Sequence, residues 1–380
     1  MKLLKIGGLS FQGDKWVDAL NTFEEITVIK YNDKEEKVPG LNYYIFETNG
    51  VIKRAFIKFI RLFNEKEKLE FVELFLVNVF RLFLIKDMRR IKKFQFDEVY
   101  AAYNDFDDSA LLLILFKPLF KGVRVTRAYK ESRPGYKFME KYAFVYSNRV
   151  ILNSKENKEF FENKYGKSFF SHKDVMVNLD EDVLGTKYIN GVQRQKKLSD
   201  TDNKIHLVIL AGRVMSDTSD KRSGSRLFYI PLIREFLEAG MAVHLHTLEI
   251  CNDTNGVNQY EVLKNIYPEL FFIEPPLDFS GDAWKNSYSV LSRYDYGIMH
   301  NYIEGTSNTE FDKYNIPHRY YEYLLSHVIP ILPQGKTIVL ENTINENKSG
   351  VVYKDIIDLK KTHEVCFDCI SFDEYIRRVY

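Results

Sequence analysis

Strand-like and helix-like segments alternate along this chain in two successive runs separated by a polar stretch, and that alternation limits the fold more than any other feature. In the first run Leu3–Ile6 and Ile26–Tyr31 read as short strands. Amphipathic helical segments over Val51–Phe63 and Leu69–Phe94 follow, then an apolar strand over Val99–Tyr103 and an apolar helix over Ser109–Phe120. Val123–Thr126 and Arg149–Asn153 are further strands. Helical spacing covers Tyr136–Tyr146 between them and Lys155–Tyr165 after them, with Gly166 suited to a C-cap. Residues 190–203, rich in Gly, Gln, Lys, Ser and Asp, have linker composition. The second run reads as strands at His206–Ala211, Ala242–Leu248, Leu270–Ile273, Tyr296–His300 and Val328–Leu332. Helices at Leu227–Ala239, Tyr260–Tyr267, Trp284–Arg293 and His318–Ser326 separate them. Short strands joined by such helices form parallel sheets covered on both faces. The expected class is therefore α/β. Two Rossmann-like domains, 1–190 and 204–360, are expected to face each other across a cleft at the carboxyl ends of their strands. Residues 361–380 are expected to pack back toward the first domain. A length of 380 residues suits two domains.

Composition removes several function classes. The formal net charge is +1, so the chain lacks the basic excess by which duplex binders neutralise phosphates, and no nucleic acid partner is expected. The three cysteines, Cys251, Cys366 and Cys369, are too few for a disulfide framework. Cys366 and Cys369 make one CxxC pair, half of what a four-ligand zinc site needs. The first residues read as a strand rather than a signal peptide, and no run approaches the length that spans a bilayer. A cytoplasmic protein is expected.

Particular residues sharpen the second half. The strand His206–Ala211 runs into Gly212-Arg213, and Lys221 and Arg222 follow before the long helix. Later come Tyr294-Asp295-Tyr296-Gly297-Ile298-Met299-His300, then Ile316-Pro317-His318-Arg319-Tyr320-Tyr321-Glu322-Tyr323-Leu324, and Gly350-Val351-Val352-Tyr353 closes the unit. In the first half stand Asn148-Arg149-Val150-Ile151-Leu152-Asn153-Ser154, with Met176-Val177-Asn178-Leu179-Asp180 entering the linker. This succession, over roughly residues 140–355, resembles the retaining GT-B glycosyltransferases, especially the large family 4 group. The resemblance implies a glycosyltransferase that takes a sugar from a nucleotide-sugar co-substrate, with no cofactor and no essential metal. It also implies a glycan or lipid-linked glycan acceptor held by the first domain, in surface polysaccharide or glycoconjugate synthesis.

The chemistry fits the residue types. A nucleoside diphosphate gains negative charge as the glycosidic bond breaks, so fixed cations at that point stabilise the transition state above the ground state. Arg213, just past the expected strand, and Lys221 are suited to that role, Lys221 in competition with Arg222 and Arg226. Pro317 suits the first turn of a helix whose amino end offers N–H groups to a phosphate. The resemblance assigns Glu322, further along that helix, to the ribose hydroxyls. His300, Arg319, Gly7 and Gly8 complete the expected donor-binding set. Arg319 stands where the family has Lys, His327 where it has Gly, and Tyr314 where many members have a first Glu. Gly7 and Gly8, after the first strand, allow a ligand close to the backbone. The family's histidine after Val123–Thr126 has no counterpart, because Arg127-Ala128-Tyr129-Lys130 stand there. Asp105 and Asp107 follow the strand Val99–Tyr103 and are the candidate catalytic carboxylates toward an acceptor hydroxyl, or else caps for the next helix. Asp105-Phe106-Asp107 is a DxD sequence, but metal-dependent use of one belongs to a different fold.

From Lys53 to Lys93 twelve basic residues face five acidic ones, a balance of +7 among Phe, Leu, Ile and Val. Residues 50–95 therefore fit either an anionic membrane surface, which would make the protein peripheral on its inner face, or two core-facing helices with solvated charged faces. Two other functions share the layout: a non-catalytic glycan-binding or partner-stabilising subunit, and a nucleotide-sugar epimerase.

Overall fold

The computed structural model describes residues 1–6, 23–30, 41–45, 70–102, 108–129, 137–177, 193–219, 227–279, 283–299, 313–364 and 374. The chain divides into two units, Met1–Tyr188 and Ile189–Tyr380.

Among the described residues of the first unit seven strands form one parallel sheet: β1 (Lys2–Ile6), β2 (Glu25–Lys30), β3 (Asn42–Ile45), β4 (Glu98–Ala102), β5 (Arg124–Tyr129), β6 (Arg149–Leu152) and β7 (Asp174–Met176). Their order is β3-β2-β1-β4-β5-β6-β7, so the chain works outward from β1 in one direction, returns, and continues the other way from β4. That reversal is the doubly wound Rossmann pattern, with its switch point between β1 and β4. Apolar positions of both faces are buried, as covered parallel sheets require: Leu4, Ile6 and Val99 on one, Leu3, Val28 and Tyr100 on the other.

Helices α1 (Glu70–Phe83), α2 (Ile85–Ile91), α3 (Asp108–Phe116), α4 (Lys137–Tyr146) and α5 (Lys155–Tyr165) belong to this unit. The α3 segment DSALLLILF is apolar on every side, and Leu112 to Phe116 are all buried, because α1, α4 and the sheet surround it. Ser154 caps α5 by accepting from the Asn157 N–H. An aromatic cluster of Tyr129, Phe144, Phe161 and Phe170 joins α4 and α5 to the sheet.

Several boundaries differ from expectation. The single helix expected over Leu69–Phe94 is two, broken at Leu84, whose φ of −95° and ψ of 6° leave the helical region. After the break Asp87 turns inward and accepts the Tyr44 hydroxyl at 2.8 Å, tying α2 to β3, a strand the sequence pattern did not suggest. Ser109–Phe120 ends as helix at Phe116, and a 3-10 turn holding Pro118 follows. The strand expected at Val123–Thr126 continues to Tyr129, because β4 pairs with it as far as Ala128 and β6 as far as Tyr129. The segment expected at Val51–Phe63 lies outside the described residues, as do Cys366 and Cys369.

The second unit repeats the plan. Its strands are β8 (His206–Met215), β9 (Ala242–Cys251), β10 (Phe271–Glu274), β11 (Tyr296–Ile298), β12 (Ile329–Pro333) and β13 (Val351–Tyr353), ordered β10-β9-β8-β11-β12-β13 and all parallel. The switch point here lies between β8 and β11. The helices are α6 (Ser199–Asp202), α7 (Ile230–Glu238), α8 (Gln259–Ile266), α9 (Ala283–Leu291), α10 (Arg319–Leu325), α11 (Val339–Asn347) and α12 (Ile356–Glu364). Pro231 in the first turn starts α7 later than the expected Leu227.

The described end of the expected linker is fastened rather than loose. Gln195 N–H donates to Ser292 Oγ at 2.8 Å, Leu198 N–H to the Arg293 carbonyl at 2.9 Å, and Lys197 Nζ to the carbonyls of Tyr294 and His327. Asp295 accepts from Ser199 Oγ at 2.7 Å and from the His206 N–H at 2.8 Å. The remainder of the C-terminal segment beyond α12 lies outside the described residues, apart from residue 374.

Candidate functional site

In open α/β sheets ligands bind beyond the carboxyl ends of the strands at the switch point. In the second unit that point is set by how β8 and β11 part. They pair only at Leu207 with Tyr296 and Val208 with Gly297. Above that level the Tyr323 hydroxyl, from α10, stands between them, donating to the Val208 carbonyl at 3.2 Å and accepting from the Leu210 N–H at 3.1 Å. The Tyr323 ring lies flat against β11 where Gly297 has no side chain: an added Cβ would stand 2.3 Å from ring carbon Cδ2. Burial pushes the Tyr323 hydroxyl well above its ordinary value, so it stays a neutral donor.

One turn earlier on α10, Arg319 spans the same gap. Nη1 donates to the Leu210 carbonyl of β8 at 3.0 Å and to the Tyr229 hydroxyl at 2.9 Å, while Nη2 donates to the Met299 carbonyl just after β11 at 3.2 Å. Burial alone would lower this guanidinium's pKa, but Tyr229, Tyr323 and Glu322 raise it on balance. The planar fork suits such a bridge better than a lysine would. Arg319 was expected to bind the donor; three of its bonds go instead to protein groups that fix α10 across the switch point.

Glu322 projects from the same helix with a side chain only 14% exposed, and its Oε1 lies 3.1 Å from His318 Nδ1. Burial, and after it the Glu322 charge, raises the pKa of Tyr288 on α9. Helix α10 begins at Arg319 with His318 as its N-cap, so Pro317 precedes the cap rather than occupying the first turn. The helix has seven residues, shorter than the stretch expected to be helical.

Arg213 corrects a second expectation. It lies inside β8, not past it, because β9 is equally long and pairs with β8 as far as Met215 opposite Cys251. Arg213 is exposed and level with Glu249. It is thus near the carboxyl end of the strand that carries Leu210, on a two-stranded projection beyond β11. Lys221 and His300, expected beside it, lie outside the described residues. So do Gly7, Gly8, Asp105 and Asp107, which follow β1 and β4, the strands flanking the first unit's switch point. In that unit Lys5, next to last in β1, is fully buried with its Nζ 5.8 Å from the Tyr100 ring centre. Arg127, on β5, is buried and donates to the Ala101 carbonyl at 3.3 Å. Neither buried cation was singled out from sequence. For Lys5 the signal was a charged letter inside the expected strand Leu3–Ile6, while Arg127 stood just past the strand expected to end at Thr126.

Three histidines, His206, His244 and His246, lie on the second sheet. His206 and His244 are joined at 2.9 Å, His206 reaches Asp202 at 2.9 Å, and His244 reaches Glu274 at 2.8 Å. His246 donates from Nδ1 to the Pro275 carbonyl at 2.6 Å and accepts the Tyr294 hydroxyl at 2.9 Å. Burial holds His244 and His246 below the ordinary histidine pKa. His206 opens β8 and His244 stands early in β9, so this row lies toward the amino end, away from the switch-point opening. Among the described residues no three His, Cys, Asp or Glu side chains are grouped to hold a metal ion. No described helix is long and apolar enough to cross a membrane.

No protein-family model matches the sequence, and no curated protein does. Among solved structures, the UDP-GlcNAc 2-epimerase of Methanocaldococcus jannaschii is similar with a TM-score of 0.50 and 11% identity, over 100% of this chain and 98% of that one. At that identity the likeness shows the fold: two Rossmann-like domains of the GT-B type. Two weaker likenesses add nothing further. They are UGT73P12 of Glycyrrhiza uralensis (TM-score 0.45, 10% identity, 100% of this chain and 90% of that one) and the glycosyltransferase SnogD of Streptomyces nogalater (0.42, 11%, 100% and 93%).

Proposed function

We propose that this GT-B chain is a glycosyltransferase that moves a sugar from a nucleotide-sugar donor to a glycan or lipid-linked glycan acceptor, with retention and without a metal. The observation that carries this reading is the bridge of Arg319 and Tyr323 across β8 and β11. It fixes Glu322 beside the opening where open sheets take nucleotides, near the end of the strand that bears Arg213. In the proposed reaction the second unit holds the donor. Arg213 and Lys221 face the diphosphate, and their charges gain most as the sugar–oxygen bond breaks and the leaving oxygen becomes anionic. Glu322 accepts hydrogen bonds from the ribose hydroxyls once His318 yields its carboxylate. Arg319 acts by holding α10 rather than by touching phosphate. The first unit receives the acceptor, with Asp105 or Asp107 orienting its hydroxyl. Exposed Lys86, Arg89, Lys92 and Lys93 on and after α2 suit an anionic membrane surface, where a lipid-linked acceptor would be met.

Donor hydrolysis tests the reading. Purified chain incubated with UDP-, GDP- and CMP-sugars is expected to release free nucleotide slowly from one of them. Arg213→Ala should lower that rate by about 10²-fold or more, the scale of removing one electrostatic stabiliser of a transition state. Unchanged turnover in Arg213→Ala removes the phosphate role. A changed sugar still attached to its nucleotide identifies an epimerase, and no nucleotide release from any donor favours a binding subunit.

A further inference from the structure

At the opposite end of the first unit's sheet, where β5, β6 and β7 begin, lies an open depression of about 1020 Å³. It is lined by Arg81 from α1, Lys117 and Lys121 from the turn after α3, Arg124 at the start of β5, and His172 and Lys173 before β7. Among the described residues no acidic side chain lines it. Among the described residues none of Arg81, Lys117, Lys121, Arg124 or Lys173 has a carboxylate partner, although the same unit holds ion pairs elsewhere, for instance Arg149 with Asp174 at 2.7 Å.

Two of these cations are held in place by the protein. Arg81 donates from Nε to the Leu115 carbonyl at 3.0 Å, from Nη2 to the Ile114 carbonyl at 2.6 Å and from Nη1 to Asn78 at 2.5 Å, which leaves two of its five N–H groups. Lys173 donates to the carbonyls of Val145 at 3.2 Å and Ser147 at 2.8 Å, with one N–H remaining. Lys117 sits with its Nζ 3.6 Å from the centre of the Tyr146 ring. The charges are close enough to oppose one another. Lys117 is lowered by burial and then by Arg81, and Lys173 by burial and then by Lys117. Like charges gathered without a counter-charge cost stability, and an anion placed among them removes that cost.

We propose that this depression is a second anion site, built to take a phosphate-bearing ligand and separate from the donor pocket proposed for the other unit. Spare N–H groups of Arg81 and Lys173 meet two phosphate oxygens, Lys117 supplies a point charge, and Lys121 and Arg124 stand at the rim. The depression is larger than one phosphate needs and matches small-molecule sites, which run to about 1000 Å³. Half-buried Tyr146 and neighbouring exposed Pro118 and Val145 add apolar surface for the rest of the ligand. The phosphate belongs either to a soluble phosphorylated compound or to a lipid headgroup.

The test uses the full chain carrying Arg213→Ala, so that the proposed donor pocket does not contribute. Calorimetric titration with inorganic pyrophosphate at low ionic strength should show one site. Adding Lys117→Ala and Lys121→Ala, both exposed and outside any core, should weaken it by about tenfold or more, as expected for loss of charged hydrogen-bond donors. Sedimentation with phosphatidylglycerol vesicles, against phosphatidylcholine alone, separates the sources. Vesicle binding that is lost in the same variant supports a lipid headgroup, and pyrophosphate binding without vesicle binding supports a soluble ligand. No pyrophosphate binding, or binding unaltered by the two substitutions, overturns the site.

Discussion

At Gly297 the fold depends on a missing side chain. The Tyr323 ring covers that backbone, and a methyl group there would meet Cδ2, Cε2 and Cγ at 2.3 to 2.5 Å. Gly297→Ala therefore has to push the ring away and break its hydroxyl bonds to Val208 and Leu210. The expected loss is about 1–3 kcal/mol, the usual cost of overpacking, read from the denaturant midpoint. Tyr323→Phe keeps the ring and should cost less, about 1 kcal/mol for the lost hydroxyl bonds. Equal losses in the two variants would mean that the ring does not rest on Gly297. The Asp295-Tyr296-Gly297 run was visible in the sequence, but its role was not: Asp295 secures the start of β8, and Gly297 admits a ring from twenty-six residues onward. Arg319 was legible as a cation at the end expected to hold a donor. Its preference for the Leu210 and Met299 carbonyls was not, because a residue letter does not distinguish a phosphate ligand from a brace.

Element boundaries depended on neighbours. Gly212 reads as a stop after His206–Ala211, yet β8 continues to Met215 because β9 offers an equally long partner. Residues 190–203 read as linker, and their described end is instead pinned to the second unit through Lys197. His327, which stands in the left-handed region at a φ of 55° that a glycine would adopt more easily, is held by that same segment: Arg194 Nη2 meets its Nδ1 at 2.8 Å. Burial drives the Lys197 pKa down to about 8 despite the opposing charge of Asp295. The unfolded chain keeps this proton up to the ordinary lysine value of 10.5. Between pH 8 and 10.5 the unfolded state therefore binds more protons, so Lys197 makes folding stability rise with pH across that window. Relative to Lys197→Met, the wild type should gain on the order of 3 kcal/mol over it, measured by urea unfolding at each pH. A flat difference would show that the ammonium is not desolvated.

Across the whole molecule, the alternation of strands and helices already implied two doubly wound sheets, and the observed orders agree with that pattern. Parallel pairing points the carboxyl ends of β8 and β11 the same way, which is why motifs spread over about a hundred residues, at Arg213, Met299 and Glu322, belong to one end of one sheet. The basic depression under β5–β7 was not legible, because its cations come from stretches far apart in the chain: Arg81 from the basic stretch 53–93, and the others from 117–124 and 172–173. The central claim is that the second unit's switch point is a nucleotide pocket. Hydrogen–deuterium exchange, with and without whichever of UDP, GDP and CMP most raises the melting temperature, tests it most directly. Slowed exchange in peptides covering residues 211–219 and 316–323 is the predicted result. Protection confined to residues 1–188, or no nucleotide that raises the melting temperature, would contradict it.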